Sequence, residues 1–156
     1  MTFTEIIFSV LILAVGILGV SGLQALSLQQ NRSALFRADA LQLGNDILDR
    51  IRANPLSTYA PVTLDAAPSA SKNCVDEECS RTEMAAFDIA QWKCSLNSND
   101  DEGTPLSLCQ SYSIQGSIPE GAGSIALTDS VYEITVQWVD DRKGTIAFIK
   151  LRSQAN

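Results

Sequence analysis

The first third of the chain changes its hydrophobic pattern once, and the change divides it. After Glu5 the residues Ile6 to Val20 are apolar except for Ser9, and no ionisable side chain appears until Arg32. A helix from Ile6 to Asn31 would be about 39 Å long, more than the roughly 30 Å hydrocarbon core of a bilayer. From Leu23 onward the pattern turns amphipathic. Leu28, Leu35, Ile47, Leu48 and Ile51 recur near a helical period, while Gln29, Gln30, Asn31, Arg32, Arg37, Asp39, Gln42, Asn45, Asp46, Asp49 and Arg50 occupy much of the remaining surface. Pro55 disfavours helix at Asn54. The pattern therefore predicts one helix over residues 1–53, divided into a hydrophobic segment (1–28) and an amphipathic spine (29–54), followed by a head domain (55–156).

The head changes period. Leu56 to Asn73 is rich in Pro, Ala, Ser and Thr and reads as an irregular connection, leading to the acidic loop Cys74-Val75-Asp76-Glu77-Glu78-Cys79. Ser80 and Glu83 have capping-box spacing, so a second helix is predicted from there through Leu96, with Met84, Phe87 and Trp92 supplying apolar bulk and Trp92 assigned to the core. Tyr112 to Ile118 alternates and reads as a strand, 119–123 as a turn, and 124–127 as a returning strand. Val131 to Val139 is the clearest strand in the chain. Residues 140–144 form its turn and Thr145 to Leu151 its partner. The fold class is α+β: a long helix with one apolar stripe, and an antiparallel sheet of three or four strands to cover that stripe.

Composition then removes several functions. The net charge is −7, and the 11 basic residues form no block, so nucleic-acid binding lacks an electrostatic footprint. The chain has no His, which removes the usual base of serine and cysteine hydrolases and a favoured transition-metal ligand. Asn97 to Gly103 clusters oxygen ligands beside a glycine but fits no EF-hand window, and reads as a solvated turn. Asp140 and Asp141 are neighbours that a strand end would point apart, so a paired-carboxylate site is not expected. No enzymatic activity, metal or cofactor is expected.

Cys74, Cys79, Cys94 and Cys109 lie in the part of the chain that an anchor would hold beyond the membrane, where oxidised pairs are usual. Zinc is the competing reading, weakened by the spacing of Cys94 and Cys109 and by the lack of His. Four cysteines allow three pairings. Local loop closure favours Cys74–Cys79 with Cys94–Cys109.

Glu5 needs a separate explanation. A carboxylate in apolar surroundings costs several kcal/mol unless neutralised or paired. A signal peptide would need basic residues before the run and a small-residue cleavage site after it, and neither is present. On a helix Met1 and Glu5 are one turn apart, so the carboxylate could pair with its own terminal amine or with a neighbour's. Gly16, Gly19 and Gly22 recur every third residue, each weakening the helix by roughly 1 kcal/mol relative to Ala. They suit either local unwinding on assembly or close packing of neighbouring helices.

Thr2, Phe3, Thr4 and Glu5, with the apolar run behind them, resemble the mature N-terminus of a type IV pilin, Glu5 standing at that family's glutamate position. Residues 17–25 and the stretch Ile47-Leu48-Asp49-Arg50-Ile51-Arg52-Ala53-Asn54-Pro55 resemble the PilV-type minor pilins, as more loosely do Trp92, Cys94, Cys109, Pro119, Gly121, Gly123 and the strand after Tyr132. One departure is Gly22, where major pilins usually carry a proline nearby. The resemblance implies the type IV pilin fold and a minor pilin that takes part in assembly initiation, the tip or adhesin display. It implies Met1 as an N-methylated mature terminus left by removal of a short leader, and pairing of Glu5 with a neighbouring pilin's terminus. The implied partners are other major and minor pilins, a prepilin peptidase, the inner-membrane pilus machinery and a PilY-class tip adhesin. The implied location is the inner membrane, with the head in the periplasm, and then the pilus. A type II secretion pseudopilin and a membrane-tethered binding module that never polymerises are the alternatives.

Overall fold

In the computed structural model, residues 2–141 and 143–154 are described. Helix α1 runs Phe3–Ala53, with Glu5 in its first turn and Arg50 and Arg52 in its last, the charge order that complements the helix dipole. It ends where expected. Asn54 still donates its N–H to the Arg50 carbonyl, and Pro55 prevents a further turn. The chain divides into two compact units, residues 1–35 and 36–156.

In the first unit the described side chains are exposed apart from the half-buried Ser33. The second unit holds the core. Along the helix from Phe36, the residues Ala40, Gly44, Ile47, Leu48 and Ile51 are buried, a spacing that keeps one stripe inward. Gly44 is required by close approach: a methyl group there would come within 2.5 Å of Leu151 Cδ1 and also meet Ile149, so the sheet lies directly on the helix backbone.

Helix α2 (Arg81–Leu96) begins at a full capping box. Ser80 Oγ accepts the Glu83 N–H at 3.3 Å, and the Glu83 carboxylate accepts the Ser80 N–H at 2.8 Å. Its inner face carries Ala85, Phe87, Ala90, Trp92, Cys94 and Leu96. Trp92 is fully buried and donates its indole N–H to the Leu43 carbonyl at 3.0 Å, so the ring and its polar atom are both accommodated. A side chain at Gly123 would run into the Trp92 ring, which lets the sheet pack flat on it.

Three strands form one antiparallel sheet in the order β1-β2-β3: β1 Ala122–Thr128, β2 Val131–Val139 and β3 Ile146–Gln154. Asp129 and Ser130 both have positive φ, the geometry of a two-residue hairpin turn. β2 alternates half-buried and buried residues along its whole length, and Tyr132, Ile134, Val136 and Trp138 enter the core. Its turn to β3 is held by Asp141, whose carboxylate accepts the N–H groups of Lys143 and Thr145 and the Thr145 hydroxyl. Arg142, placed in that turn by the sequence, lies outside the described residues.

One expected element is absent. Tyr112 to Ile118 forms no strand. A short helix, α3 (Ser107–Ser111), precedes it, Ser113 has φ 55°, and the segment is tied to the end of α2 by Ser117 N–H to the Ser95 carbonyl and Gly116 N–H to Ser98 Oγ. Its alternation is real, since Ile118 is buried and Tyr112 stacks edge-on against Phe87 at 5.2 Å. Those contacts are with helix and loop, and no neighbouring strand supplies a ladder. The connection from Leu56 to Asn73 is irregular, with a cis Ala60–Pro61 bond and one bridge in which Val62 pairs with Ile125.

Candidate assembly interface

The N-terminal unit presents apolar side chains on every side. Phe3, Ile6, Ile7, Phe8, Val10, Leu11, Ile12, Leu13, Val15, Ile17, Leu18 and Val20 are all exposed. A helix hydrophobic all round is stable in water only when covered by lipid or protein. Its polar atoms are handled internally. Ser9 Oγ donates to the Glu5 carbonyl and Ser21 Oγ to the Ile17 carbonyl, each at 2.8 Å, so neither hydroxyl is left bare in an apolar environment. Sequence reasoning passed over these serines, although their four-residue offset from a carbonyl could have identified them.

Glu5 stands in the first turn and is exposed. Its Oε2 accepts the Thr2 N–H at 3.4 Å, while Thr2 accepts the Glu5 N–H on its own carbonyl at 3.0 Å. This is half of a capping box: the carboxylate is held at the helix start, where the dipole favours it. The longer N–H contact is weak, so the carboxylate keeps accepting capacity for a stronger donor. Met1, the partner expected from spacing, lies outside the described residues.

Gly16, Gly19 and Gly22 lie in regular helix, and a methyl group added at any of them would meet nothing within 4 Å. In the single chain each of them faces open space.

In the head the four cysteines form two disulfides, Cys74–Cys79 and Cys94–Cys109, with sequence separations of 5 and 15. The first closes the exposed acidic loop. The second is fully buried and fastens α3 to α2. Asn97 to Gly103 is a turn in which Asp100 Oδ1 accepts the N–H groups of Glu102 and Thr104, which commits that oxygen to the loop itself. Asp140 accepts the Trp138 indole N–H at 3.2 Å, and Asp141 holds the hairpin turn. No metal-ligand cluster of three occurs among the described residues.

Two ionic features that involve the buried residues Asp88 and Lys93 were not foreseen. Arg50, assigned above to the solvated side of the spine, instead reaches Asp46 at 3.0 Å, Asp88 at 3.0 Å and Gln91 at 2.9 Å, and Tyr59 donates its hydroxyl to Asp88 at 2.6 Å. Burial, and then the hydrogen bond to Asp88, push the Tyr59 phenol well above its ordinary value. Lys93 is 6% exposed, and its Nζ donates to the carbonyls of Thr63 and Leu64 at 2.8 and 2.9 Å. Burial pulls it down to about 8, against a smaller opposing pull from Asp65. The network and the lysine tie the irregular connection to the two helices. Helical periodicity alone could not reveal them, because long polar side chains read as solvated.

Residues 22–90 match the family model Tt1218-like, described as type IV pilin Tt1218. The matched stretch takes in α1 from Gly22, the connection, the Cys74–Cys79 loop and α2 as far as Ala90, and it does not include Glu5. Comparison with curated proteins and with solved structures returned no match. The long apolar helix, the small three-stranded antiparallel sheet, the short helix and the two disulfides are consistent with the type IV pilin fold. The helix and the match fit membrane anchoring and a pilus. Over residues 22–90, less than half of its length, this chain is similar to a type IV pilin.

Proposed function

We propose that the protein is a minor pilin of the PilV type, which enters a type IV pilus through its N-terminal helix and acts in assembly initiation, at the tip or in adhesin display. The observation that carries this reading is the pairing of an all-round apolar helix with one carboxylate in its first turn. Before assembly the bilayer covers the apolar surface. In the filament, neighbouring helices replace lipid. There Glu5 receives the terminal amine of an adjacent pilin in place of the weak Thr2 contact. A charge pair is stronger in that setting than in water, although desolvation offsets part of the gain. The carboxylate therefore sets register, and the surface from Ile6 to Val20 supplies most of the attraction.

Gly16, Gly19 and Gly22 admit a neighbour's side chains or a local loosening of the helix. Other major and minor pilins, a prepilin peptidase, the inner-membrane machinery and a PilY-class adhesin are the partners this reading requires, with the head in the periplasm before assembly. Glu5→Ala tests it. The variant should insert in the membrane at wild-type level yet be missing from filaments. Normal incorporation would reject the reading, and wild-type protein that stays in the membrane of piliated cells would favour a tethered module.

A further inference from the structure

The sheet has two edges, and they differ. Hydrogen-bond parity fixes which residues face outward. Asp140 donates to the Thr145 carbonyl at 2.8 Å, so Ala147, Ile149, Leu151 and Ser153 turn their backbone groups toward β2. Ile146, Phe148, Lys150 and Arg152 therefore turn theirs away from the sheet. On β1 the same parity aims Ile125 outward, and that position is occupied: Ile125 and Val62 exchange both N–H to carbonyl bonds at 2.9 Å. Among the described residues, no backbone group bonds to the outer edge of β3.

The side chains at those same four positions lie on the sheet face away from the helices. Ile146 and Phe148 are 61% and 62% exposed. Beyond them Lys150 and Arg152 share one carboxylate, Glu133, at 2.8 and 2.6 Å, which leaves one positive charge in excess on a protein of net charge −7. Natural edges are usually blunted by charge or covered. Here the charge occupies one end only, and the apolar end is open.

We propose that the free edge of β3 receives an extended, acidic and apolar segment of a partner protein as a fourth strand. Continuing the antiparallel order, the segment would set two carboxylates opposite Arg152 and Lys150 and then two apolar residues opposite Phe148 and Ile146. The partner's pattern is therefore acid-x-acid-x-apolar-x-apolar, with the backbone supplying affinity and the alternate side chains supplying specificity. A second copy of this chain fits less well, because its own β3 would bring two basic pairs to one seam whose two Glu133 carboxylates are already engaged. The inference concerns the head alone and does not depend on how the N-terminal helix assembles.

Hydrogen exchange on the full-length protein in detergent micelles tests this. The probe is a synthetic peptide with Glu at its first and third positions, Val at its fifth and seventh, and Thr between. The amides of Ile146, Phe148, Lys150 and Arg152 should gain protection, while those of Ala147, Ile149 and Leu151 stay as they were. A peptide with Lys in place of Glu should bind about tenfold more weakly, since two opposite-charge pairs become like-charge ones. Phe148→Pro removes an outward N–H without touching the β2 ladder and should abolish the protection. No gain at the four amides, or equal binding of the Lys peptide, would overturn the proposal. Protection that appears without peptide as protein concentration rises would assign the edge to a second copy and overturn it equally.

Discussion

Arg50 on the spine helix and Asp88 on α2, 38 residues apart, face each other with Nη1 and Oδ1 at 3.0 Å, and the other Asp88 oxygen accepts the Tyr59 hydroxyl at 2.6 Å. One carboxylate thus joins the spine helix, the connection at Tyr59 and α2. Asp88 is 8% exposed, and each of its oxygens has a partner, as polar atoms withdrawn from water require.

Asp88→Ala should cost about 1–3 kcal/mol, the range for leaving a buried donor, here the Tyr59 hydroxyl, without its acceptor, since Arg50 keeps Asp46 and Gln91. Asp88→Asn should cost less, since it keeps an acceptor for one neighbour. Urea denaturation of the full chain in micelles, followed by tryptophan fluorescence, gives both values. A loss for Asp88→Ala below about 1 kcal/mol, the scale of an exposed pair, would show that the network contributes little.

The second prediction concerns pH. Lys93 falls from its ordinary 10.5 to about 8 in the folded head. Between those values the unfolded chain keeps a proton that the folded chain has released, so stability should rise as pH increases through that interval. The neutral amine still has two N–H groups for the Thr63 and Leu64 carbonyls. Tyr59 acts in the opposite sense: it stays protonated in the fold above its ordinary 10.0, so stability should fall beyond that pH. Thermal stability should thus climb from about pH 8 and peak near pH 10, where the two slopes cancel. Lys93→Met should remove the rising limb and keep the falling one, and an unchanged rising limb would refute the assignment.

The disulfides should be unequal. Chain-entropy bookkeeping gives about 3 kcal/mol for a 15-residue loop and about 2 for a five-residue one. The Cys94–Cys109 sulfurs also lie in a fully buried site, so replacing both by Ala leaves a void, whereas Cys74 and Cys79 lie in a loop near the surface. The Cys94→Ala, Cys109→Ala double variant should lose more stability than the Cys74→Ala, Cys79→Ala variant, as measured by denaturant midpoints. The reverse order would contradict this account of the head.

How far these features could be read from the sequence depended on whether they are local. The capping box at Ser80 and Glu83, the run from Val131 to Val139 and the stop at Pro55 are written in a few adjacent residues, and the structure has them where the pattern put them. Trp92 was legible as core because little else accommodates so large an apolar side chain. Tyr112 to Ile118 misled because alternation reports alternate burial, whatever surface does the burying. Lys93 and Arg50 were hidden for a different reason. A long cationic side chain on a helix can snorkel to water or turn inward to carbonyls and carboxylates, and the choice belongs to segments 30 and 38 residues away. Of the candidate interface, the sequence announced the apolar surface and Glu5, while the internal bonding of Ser9 and Ser21 emerged only with the helix built.

The central proposal is that the Glu5 carboxylate directs assembly, and Glu5→Gln tests it most directly because the amide keeps the hydrogen bond and removes the charge. The measurement is the amount of this protein in sheared pilus fractions, set against its amount in the membrane and against total pilus number. The account predicts normal membrane insertion and a folded, disulfide-bonded head, with at least a tenfold loss from the filament fraction, as expected if a charge pair worth about 1.4 kcal/mol or more is lost. Wild-type amounts of Glu5→Gln protein in the sheared pili, at normal pilus number, would contradict it.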